Sequence, residues 1–501
     1  MNRAFKTNLL VASLALLSNP GSAAGQSRLG ALSFAGVTAR EEAALLRACP
    51  VRPGAPLDSL AVARALEGAV RYFADRGFPF CSVRLSRFDP GSDGRAAVEL
   101  TVERGRFIRI GEVRLKNDGA TRPGVVRRIA RLREGEPYSE SRMEEAAGRL
   151  LASGLFRRVA GPELRQGASR SAAVAELTLE EYPANRLEAA LGTGSGGISG
   201  LVRVSLNNLF GTARSAHIDW QRPRRDWASL ALAWREPWLA CRDLALEANF
   251  SQQVRDSLFT DPGGRVEVST ELAGRLRAGV GAAYREASPG SETFAAAESS
   301  RWWAVTGRLE WRNVLRPLNP ARGFELALEA SAGTRNIEGT AGREYRSRVS
   351  AALYLPLAGT GGQLAALSGG FALVARGNST PAEIPWHARI PVGGVLRGWE
   401  GAPVRGHLEE ETRGRRVGWA SLEYRYLVGE NSRLFAFYDA GAVLEASSRR
   451  SPAEWTTRWL EGAGAGLQID SRAGLIRLAL GFDPGRGLSE GRLHIDFVEK
   501  F

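Results

Sequence analysis

Two consecutive segments of the chain show the same order of hydrophobic patterns. In residues 29–105 the apolar positions predict a strand, two helices and two further strands, with Asp58 capping the second helix. Residues 106–182 repeat that order, with Ser139 in the capping position. Apolar residues recur at helical spacing along the second helix of the first segment: Leu60, Ala63, Leu66, Val70 and Phe73. The matching order predicts two copies of one α+β module.

From residue 185 to residue 501 the helical spacing disappears. Segments of about ten residues alternate apolar and polar positions and are separated by Gly, Pro, Asn and Asp. The last clear example is 475–483, in which Ile476, Leu478, Leu480 and Phe482 alternate with polar or small residues. Alternation gives a strand one apolar and one polar face. We therefore predict a transmembrane antiparallel β-barrel over 185–501, with a soluble sandwich or propeller as the alternative.

The first residues of the chain predict export. Arg3 and Lys6 precede an apolar run at 9–17, which is shorter than the roughly 20 residues that a membrane-spanning helix needs. Small residues at 22–24 then suit cleavage by signal peptidase. We expect residues 1–24 to be a secretory signal peptide, and a short buried helix is the alternative.

The charge balance adds little to this picture. The chain has 67 Lys and Arg against 54 Asp and Glu, a formal net charge of +13. The arginines are spread along the chain without a dense basic run, so nucleic acid is not an expected partner. The 58 glycines among 501 residues exceed the usual share of about 7%, which suits turns and closely packed strands.

No enzymatic motif is present in the sequence. There is no Gly-x-Ser-x-Gly, Walker or His-Glu-x-x-His pattern, and the four histidines are far apart. We expect no catalytic residue, no metal site and no cofactor. Cys49 and Cys81 lie in one predicted module of an exported chain and could form a disulfide, but two free thiols are equally compatible with their spacing.

The two modules resemble the polypeptide-transport-associated (POTRA) domain. In the second module the resemblance rests on residues 134–139, 143–146 and 150–156, and in the first on 53–56 and 72–79. A module of this kind leaves a strand edge that can accept an incoming strand through main-chain hydrogen bonds.

The alternating region carries a series of motifs in a fixed order. They stand at 207–212, 235–239, 311–315, 319–323, 393–399, 437–441 and 462–467. With the two modules before them, they make the chain resemble the BamA/TamA-type outer-membrane assembly and translocation superfamily, which joins POTRA domains to a surface-antigen β-barrel. The resemblance implies two α+β POTRA-like domains, at 29–105 and 106–182, followed by a sixteen-stranded barrel.

The same resemblance gives roles to particular residues. It implies that the loop carrying Leu396, Arg397, Gly398 and Trp399 folds into the lumen, where Arg397 pairs with Asp439 on the wall. An ordinary exposed turn is the alternative. The expected barrel-motif residues are Arg322, Gly323, Phe437, Gly441 and Gly464. The expected C-terminal insertion signal consists of Phe497 and Phe501.

The implied function is that of a bacterial outer-membrane factor with its N-terminal domains in the periplasm. It would receive unfolded outer-membrane or secreted proteins and assist their insertion or translocation. Outer-membrane lipids and accessory periplasmic or lipoprotein subunits are further expected partners. Two alternatives remain open: a passive porin or structural barrel, and a dedicated two-partner secretion transporter. The latter usually begins with a plug helix, for which the strand predicted near residue 29 leaves no room.

Overall fold

The computed structural model describes most of the chain after its first 27 residues. The described ranges are 28–91, 94–117, 119–167, 171–182, 185–194, 197–224, 227–241, 243–255, 259–272, 275–289, 299–316, 318–357, 361–377, 384–394, 402–407, 412–446, 455–471 and 474–498. The predicted signal peptide, 1–24, lies outside them. The chain divides into two compact units, with the main boundary between residues 184 and 185.

The first module packs two helices on a three-stranded sheet. Its elements are β1 (Arg28–Ala35), α1 (Ala39–Ala48), α2 (Ser59–Ala74), β2 (Ser82–Pro90) and β3 (Arg95–Glu103). The strand order is β1-β3-β2, with β1 parallel and β2 antiparallel to β3. Asp58 caps α2, as the sequence predicts, by accepting a hydrogen bond of 2.6 Å from the Ala61 backbone. Leu45, Phe73 and Leu100 lie in the core between helices and sheet.

The second module repeats this topology. Its elements are β4 (Arg109–Asn117), α3 (Pro123–Ala130), α4 (Glu140–Ala152), β5 (Phe156–Gln166) and β6 (Ala172–Glu181), with the order β4-β6-β5. Ser139 caps α4, and Pro123 starts α3, where its missing N–H costs nothing. The α+β fold predicted for the two modules is therefore confirmed.

Both modules cover the same edge of their sheet in the same way. Residues 54–55 bond the N–H and C=O of Leu29, at 2.9 and 2.7 Å, and residues 135–136 do the same to Ile110, at 2.9 and 2.6 Å. Gly54 and Gly135 both have a φ of +88°, which glycine adopts without strain. These bonds occupy the start of the outer edge of β1 and of β4. We therefore expect the opposite edges, β2 and β5, to be the ones that accept other partners.

A half-buried carboxylate joins the two modules. Asp75, which ends α2, accepts hydrogen bonds from the Ser139 hydroxyl at 3.0 Å and from the Ser141 backbone and hydroxyl at 2.8 and 2.7 Å. A negative charge at this place also suits the positive N-terminal end of α4. Arg71 pairs with Glu144 at 2.6 Å beside it. The joint is therefore held by directional bonds as well as by packing.

The second unit is one sheet of sixteen antiparallel strands, as predicted. Its order runs without interruption from β24 to β7, apart from the short strands β18 and β19, which pair with each other. The strands are β7 (Asn185–Gly194), β8 (Gly197–Leu209), β9 (Arg214–Arg224), β10 (Trp227–Glu236), β11 (Ala245–Arg255), β12 (Phe259–Glu271), β13 (Leu276–Pro289), β14 (Ser300–Leu315), β15 (Arg322–Ile337), β16 (Thr340–Pro356), β17 (Gln363–Arg376), β18 (Ile390–Val392), β19 (Thr412–Gly414), β20 (Arg416–Leu427), β21 (Arg433–Ala446), β22 (Trp455–Ser471), β23 (Gly474–Phe482) and β24 (Arg492–Val498).

The two faces of this sheet differ in chemistry. In β14, Trp303 and Val305 are more than half exposed, whereas their neighbours Trp302 and Ala304 are buried. The buried face carries arginine–carboxylate pairs, such as the pair of Arg335 with Glu344. An apolar exposed face and a polar inner face are what a membrane barrel requires. Among the described residues, no helix is long and apolar enough to cross a membrane.

The joint between the modules generates a prediction about pH. Burial raises the pKa of Asp75, but the hydrogen bonds from Ser141 and Ser139 outweigh it and hold that pKa below its usual range. We expect Asp75→Asn to lower the free energy of unfolding of the modules by about 1–3 kcal/mol at pH 7. The difference from the unmodified protein should shrink below about pH 4, as the pH falls through the lowered pKa and Asp75 itself becomes protonated.

Urea unfolding of the full chain, followed by circular dichroism at 222 nm, measures this effect. The signal reports on the modules because all four α-helices of the described ranges belong to them. Asp89→Asn, at an exposed ion pair with Arg87, is the matched control and should change little. Equal effects of the two substitutions would contradict the role given to Asp75.

Candidate functional site

The loop between β17 and β20 enters the buried side of the sheet. Its described parts are 384–394, 402–407 and 412–415. Apolar side chains from these parts pack on apolar side chains of the surrounding strands: Ala372, Val374, Ile384, Ala388, Ile390, Val392, Ala402, Val404, Val417, Trp419, Val443 and Leu460. The loop therefore has an apolar core of its own against the wall.

A buried arginine of this loop pairs with two carboxylates of the wall. Arg405 binds Asp439 of β21 bidentately, with Nε–Oδ2 and Nη2–Oδ1 distances of 2.7 Å. Its Nη1 reaches Glu423 of β20 at 2.7 Å. The backbone N–H of Arg405 and the Ser421 hydroxyl also donate to Asp439, at 3.0 and 2.6 Å. Four hydrogen bonds thus engage one carboxylate.

The surroundings of this pair strengthen it. Arg405 is 7% exposed and Asp439 is 1% exposed, so water screens the attraction little. The guanidinium also lies over the Phe437 ring, 3.6 Å from its centroid, in a cation–π arrangement. Arg405 therefore fixes the loop to β20 and β21 with a geometry that a lysine would not reproduce.

This arginine differs from the one expected from the sequence. Arg397 was predicted to pair with Asp439, whereas the arginine on Asp439 in the structure is Arg405. Leu396, Arg397, Gly398 and Trp399 lie outside the described residues, so the role given to Arg397 stays a prediction. The sequence did contain a sign of Arg405, because residues 404–406 read Val-Arg-Gly. Which arginine of the loop reaches Asp439 depends on the path of the loop, which sequence patterns do not define.

The wall carries glycine at three positions beneath the loop tip, residues 404–406. A Cβ added to Gly441 of β21 would lie 2.8 Å from a Val404 methyl carbon, and one added to Gly462 of β22 would lie 1.8 Å from the Arg405 carbonyl oxygen. A Cβ on Gly481 of β23 would lie 2.8 Å from the next backbone nitrogen of the loop. The backbone of the loop tip can approach these three strands only because they carry no side chain there.

A second set of buried bonds holds the other limb of the loop. His387 Nε2 is 2.8 Å from the Ser300 hydroxyl, which accepts a hydrogen bond of 2.9 Å from Arg335. Arg335 in turn binds Glu344 through two bonds of 2.5 and 3.1 Å. His387 therefore ties the loop to β14 and β15.

Comparison with known proteins identifies the family. A family model described as the Omp85 superfamily domain matches residues 208–495, more than half of the chain, and includes Arg405, Glu423 and Asp439. The chain belongs to the Omp85 superfamily. A model described as POTRA, surface antigen variable number repeat, matches residues 108–172. This Omp85 protein is therefore a β-barrel protein of the outer membrane with its POTRA domains in the periplasm.

Its relatives agree with this assignment. The outer membrane protein assembly factor BamA of Neisseria meningitidis serogroup B is 21% identical over 470 residues, which are 85% of this chain and 58% of that relative. BamA of Neorickettsia risticii is 26% identical over 173 residues, 34% of this chain and 23% of the relative. The chain thus spans little more than half the length of the first of these curated relatives, and less of the second.

Two solved structures share the fold. BamA from Haemophilus ducreyi lacking POTRA domains 1–3 has a TM-score of 0.56 and 17% identity, with 94% of this chain and 98% of that chain covered. CdiB from Escherichia coli has a TM-score of 0.52 and 15% identity, with 96% and 92% covered. The order of modules and barrel is therefore common to proteins with both names.

The remaining motif residues lie in different parts of this Omp85 protein. Phe437 and Gly441 surround the Arg405 site, and a Cβ on Gly464 would lie 2.7 Å from the Phe437 ring. Arg322 and Gly323 lie at the start of β15. In the sheet, β15 is not a neighbour of β20 or β21, the strands that Arg405 binds. Gly323 has a φ of +127°.

The predicted C-terminal signal lies only partly within the described residues. Phe497 lies in β24, where its backbone pairs with Ile476, and Phe501 lies outside the described residues.

Cys49 and Cys81 are free thiols, so the structure has the second of the two arrangements that the sequence left open. Burial raises the pKa of Cys81 to about 11, which keeps that thiol protonated. In the described ranges, no group of His, Cys, Asp or Glu could hold a metal ion.

The Arg405 site generates a prediction about loop attachment. Arg405→Ala should leave Asp439 and Glu423 buried without their shared partner, which typically costs about 3–5 kcal/mol. We therefore expect the barrel to unfold at a lower temperature. The readout is the temperature at which the folded form loses its distinct mobility on gels. Residues 402–407 should also become cleavable by a broad-specificity protease.

Arg397→Ala is the matched control for this substitution. It removes another arginine of the same loop and should leave both readouts near those of the unmodified protein. If Arg397→Ala releases the loop and Arg405→Ala does not, the pairing of Arg405 with Asp439 is not what holds it.

Proposed function

We propose that this Omp85 protein receives unfolded substrate proteins on its periplasmic modules and assists their insertion into, or translocation across, the outer membrane. The observation that carries the proposal is the free edge of each module. Residues 54–55 and 135–136 bridge β1 and β4, which leaves β2 and β5 to accept an added strand. Main-chain bonds give affinity without requiring one substrate sequence.

β2 and β5 differ in how regularly they pair with the neighbouring strand. The pairing of β2 with β3 shifts register only between Leu85 and Arg87. The pairing of β5 with β6 shifts twice, once between Ala160 and Glu163, and Pro162 in that stretch has no N–H to donate. We therefore assign the first contact with substrate to β2, and a shorter contact to β5.

We place the insertion step at β7 and β24, the two ends of the strand order. A substrate strand that enters the membrane must satisfy its backbone groups, and the edge of a strand can do this one hydrogen bond at a time. The transfer needs no nucleotide or cofactor, because strand pairing and burial of apolar faces in lipid make it favourable. Outer-membrane lipids and accessory subunits are further proposed partners.

A dedicated two-partner secretion transporter is the second candidate. The resemblance gives that class two POTRA domains followed by the same kind of barrel, and this chain has two modules. In that case the edges of β2 and β5 would bind one exported protein rather than many. The two candidates share the receiving surface and differ in the number of substrates.

Depletion of the protein followed by outer-membrane proteomics distinguishes these functions. Loss of many barrel proteins is expected if the protein assembles them, and loss of one exported protein is expected of a secretion transporter. An unchanged outer membrane and secretome would contradict both and leave a passive pore.

The receiving edges can be tested directly by photo-crosslinking in cells. A crosslinking amino acid at Arg84 of β2 or Arg158 of β5, both exposed, should capture unfolded outer-membrane or secreted proteins. The matched control is Arg47, which is exposed on α1 and should capture few. Equal capture from all three positions would show that the strand edges are not the receiving surface.

A further inference from the structure

The loop tip extends across the wall as far as the last strand. Beyond the glycines of β21, β22 and β23, the backbone N–H of Gly406 donates a hydrogen bond of 3.1 Å to Nε2 of His494. His494 belongs to β24, where its backbone pairs with Ala479. The residue next to Arg405 in the chain therefore contacts the end strand of the sheet.

The chemistry of this bond defines the state of the ring. A backbone N–H can only donate, so Nε2 must accept, and an imidazole with an accepting nitrogen is neutral. The proton of His494 then lies on Nδ1. The bond is also sheltered, because Gly406 packs on Phe482: a Cβ at Gly406 would lie 2.8 Å from the Phe482 carbonyl carbon.

In the described residues, the end strand pairs with one neighbouring strand of the sheet. β24 has seven residues, and in the described residues its pairing partner is β23, from Leu475–Val498 to Gly481–Arg492. A short strand bonded along one side opens more easily than an inner strand. One additional bond from a fixed point therefore changes its stability more than it would in the middle of the sheet.

The fixed point is the Arg405 site. Arg405 is bonded to Glu423 of β20 and Asp439 of β21, so the next residue, Gly406, has little freedom to follow β24 if that strand moves away. The loop tip thereby connects β20 and β21 to β24 across the glycines of the strands between them.

We propose that His494 is the positioning residue through which the loop tip holds β24 against the inner wall. While Arg405 is bonded to Asp439 and Glu423, the loop tip holds β24 through His494. When the tip moves away, β24 loses this hydrogen bond, and no other strand replaces it. The inference rests on the proposed function in one respect, because β24 is an end strand at which we place insertion. It assigns to the loop the control of that strand.

Hydrogen–deuterium exchange of the purified full chain in detergent tests the contact. His494→Phe keeps an aromatic ring but removes the acceptor, and we expect residues 492–498 to exchange about five-fold faster, as for the loss of one net hydrogen bond. His494→Gln keeps an acceptor at a similar reach and should exchange like the unmodified protein. His217→Phe, on β9, is the matched control and should leave 492–498 unchanged.

The link to Arg405 is tested in the same measurement. Arg405→Ala should accelerate exchange of 492–498 by the same factor, and Arg405→Ala with His494→Phe should add nothing further there, because both abolish the same contact between Gly406 and His494. Unchanged exchange in His494→Phe would overturn the proposal, as would equal acceleration in His494→Gln. Acceleration spread equally over β14, β15 and β24 would also overturn it, since it would reflect general loosening.

This experiment contains no substrate, so its outcome is independent of the proposed function. If exchange is unchanged in His494→Phe while depletion still removes barrel proteins, the loop does not control β24 but the assembly function stands. If exchange changes as expected while depletion has no effect, the contact exists in a protein that does something else.

Discussion

The attraction between one buried guanidinium and two wall carboxylates organises the inner side of this barrel. Arg405, Asp439 and Glu423 are each costly to bury alone, and they are tolerable together because every charged group finds an oppositely charged partner. The loop that brings Arg405 must therefore follow one path. That path positions its apolar core on the wall and brings its tip to β24.

The periplasmic unit is built in a different way, by repeating one module. Two copies of one module each bridge the first strand with a short segment that turns at a glycine, and each leaves the opposite strand uncovered. Asp75 then joins the copies by capping a helix of its neighbour. Repetition thus presents two similar edges from a single unit, and a directional joint keeps one copy next to the other.

Much of this architecture could be predicted from the sequence, because it follows from local patterns. Alternation predicted the strands of the sheet, and the family resemblance supplied their number. Asp58 and Ser139 marked helix starts through hydrogen bonds a few residues away. The partner of Asp439 does not follow from local patterns. Arg397 and Arg405 both stand before a glycine in one long loop, and only the fold of that loop decides which one reaches Asp439. The bridged edges of β1 and β4, and the contact of Gly406 with His494, likewise join residues far apart in sequence.

The glycines at 441, 462 and 481 have a consequence for how fast the loop can leave. A wall of side chains would have to change rotamers to release an inserted backbone, and each change would add to the barrier. A wall without side chains has nothing to rearrange. The lifetime of the inserted loop is then set by the polar bonds at Arg405, His494 and His387 and by its apolar packing, and the three glycine positions add no side-chain rearrangement to the barrier.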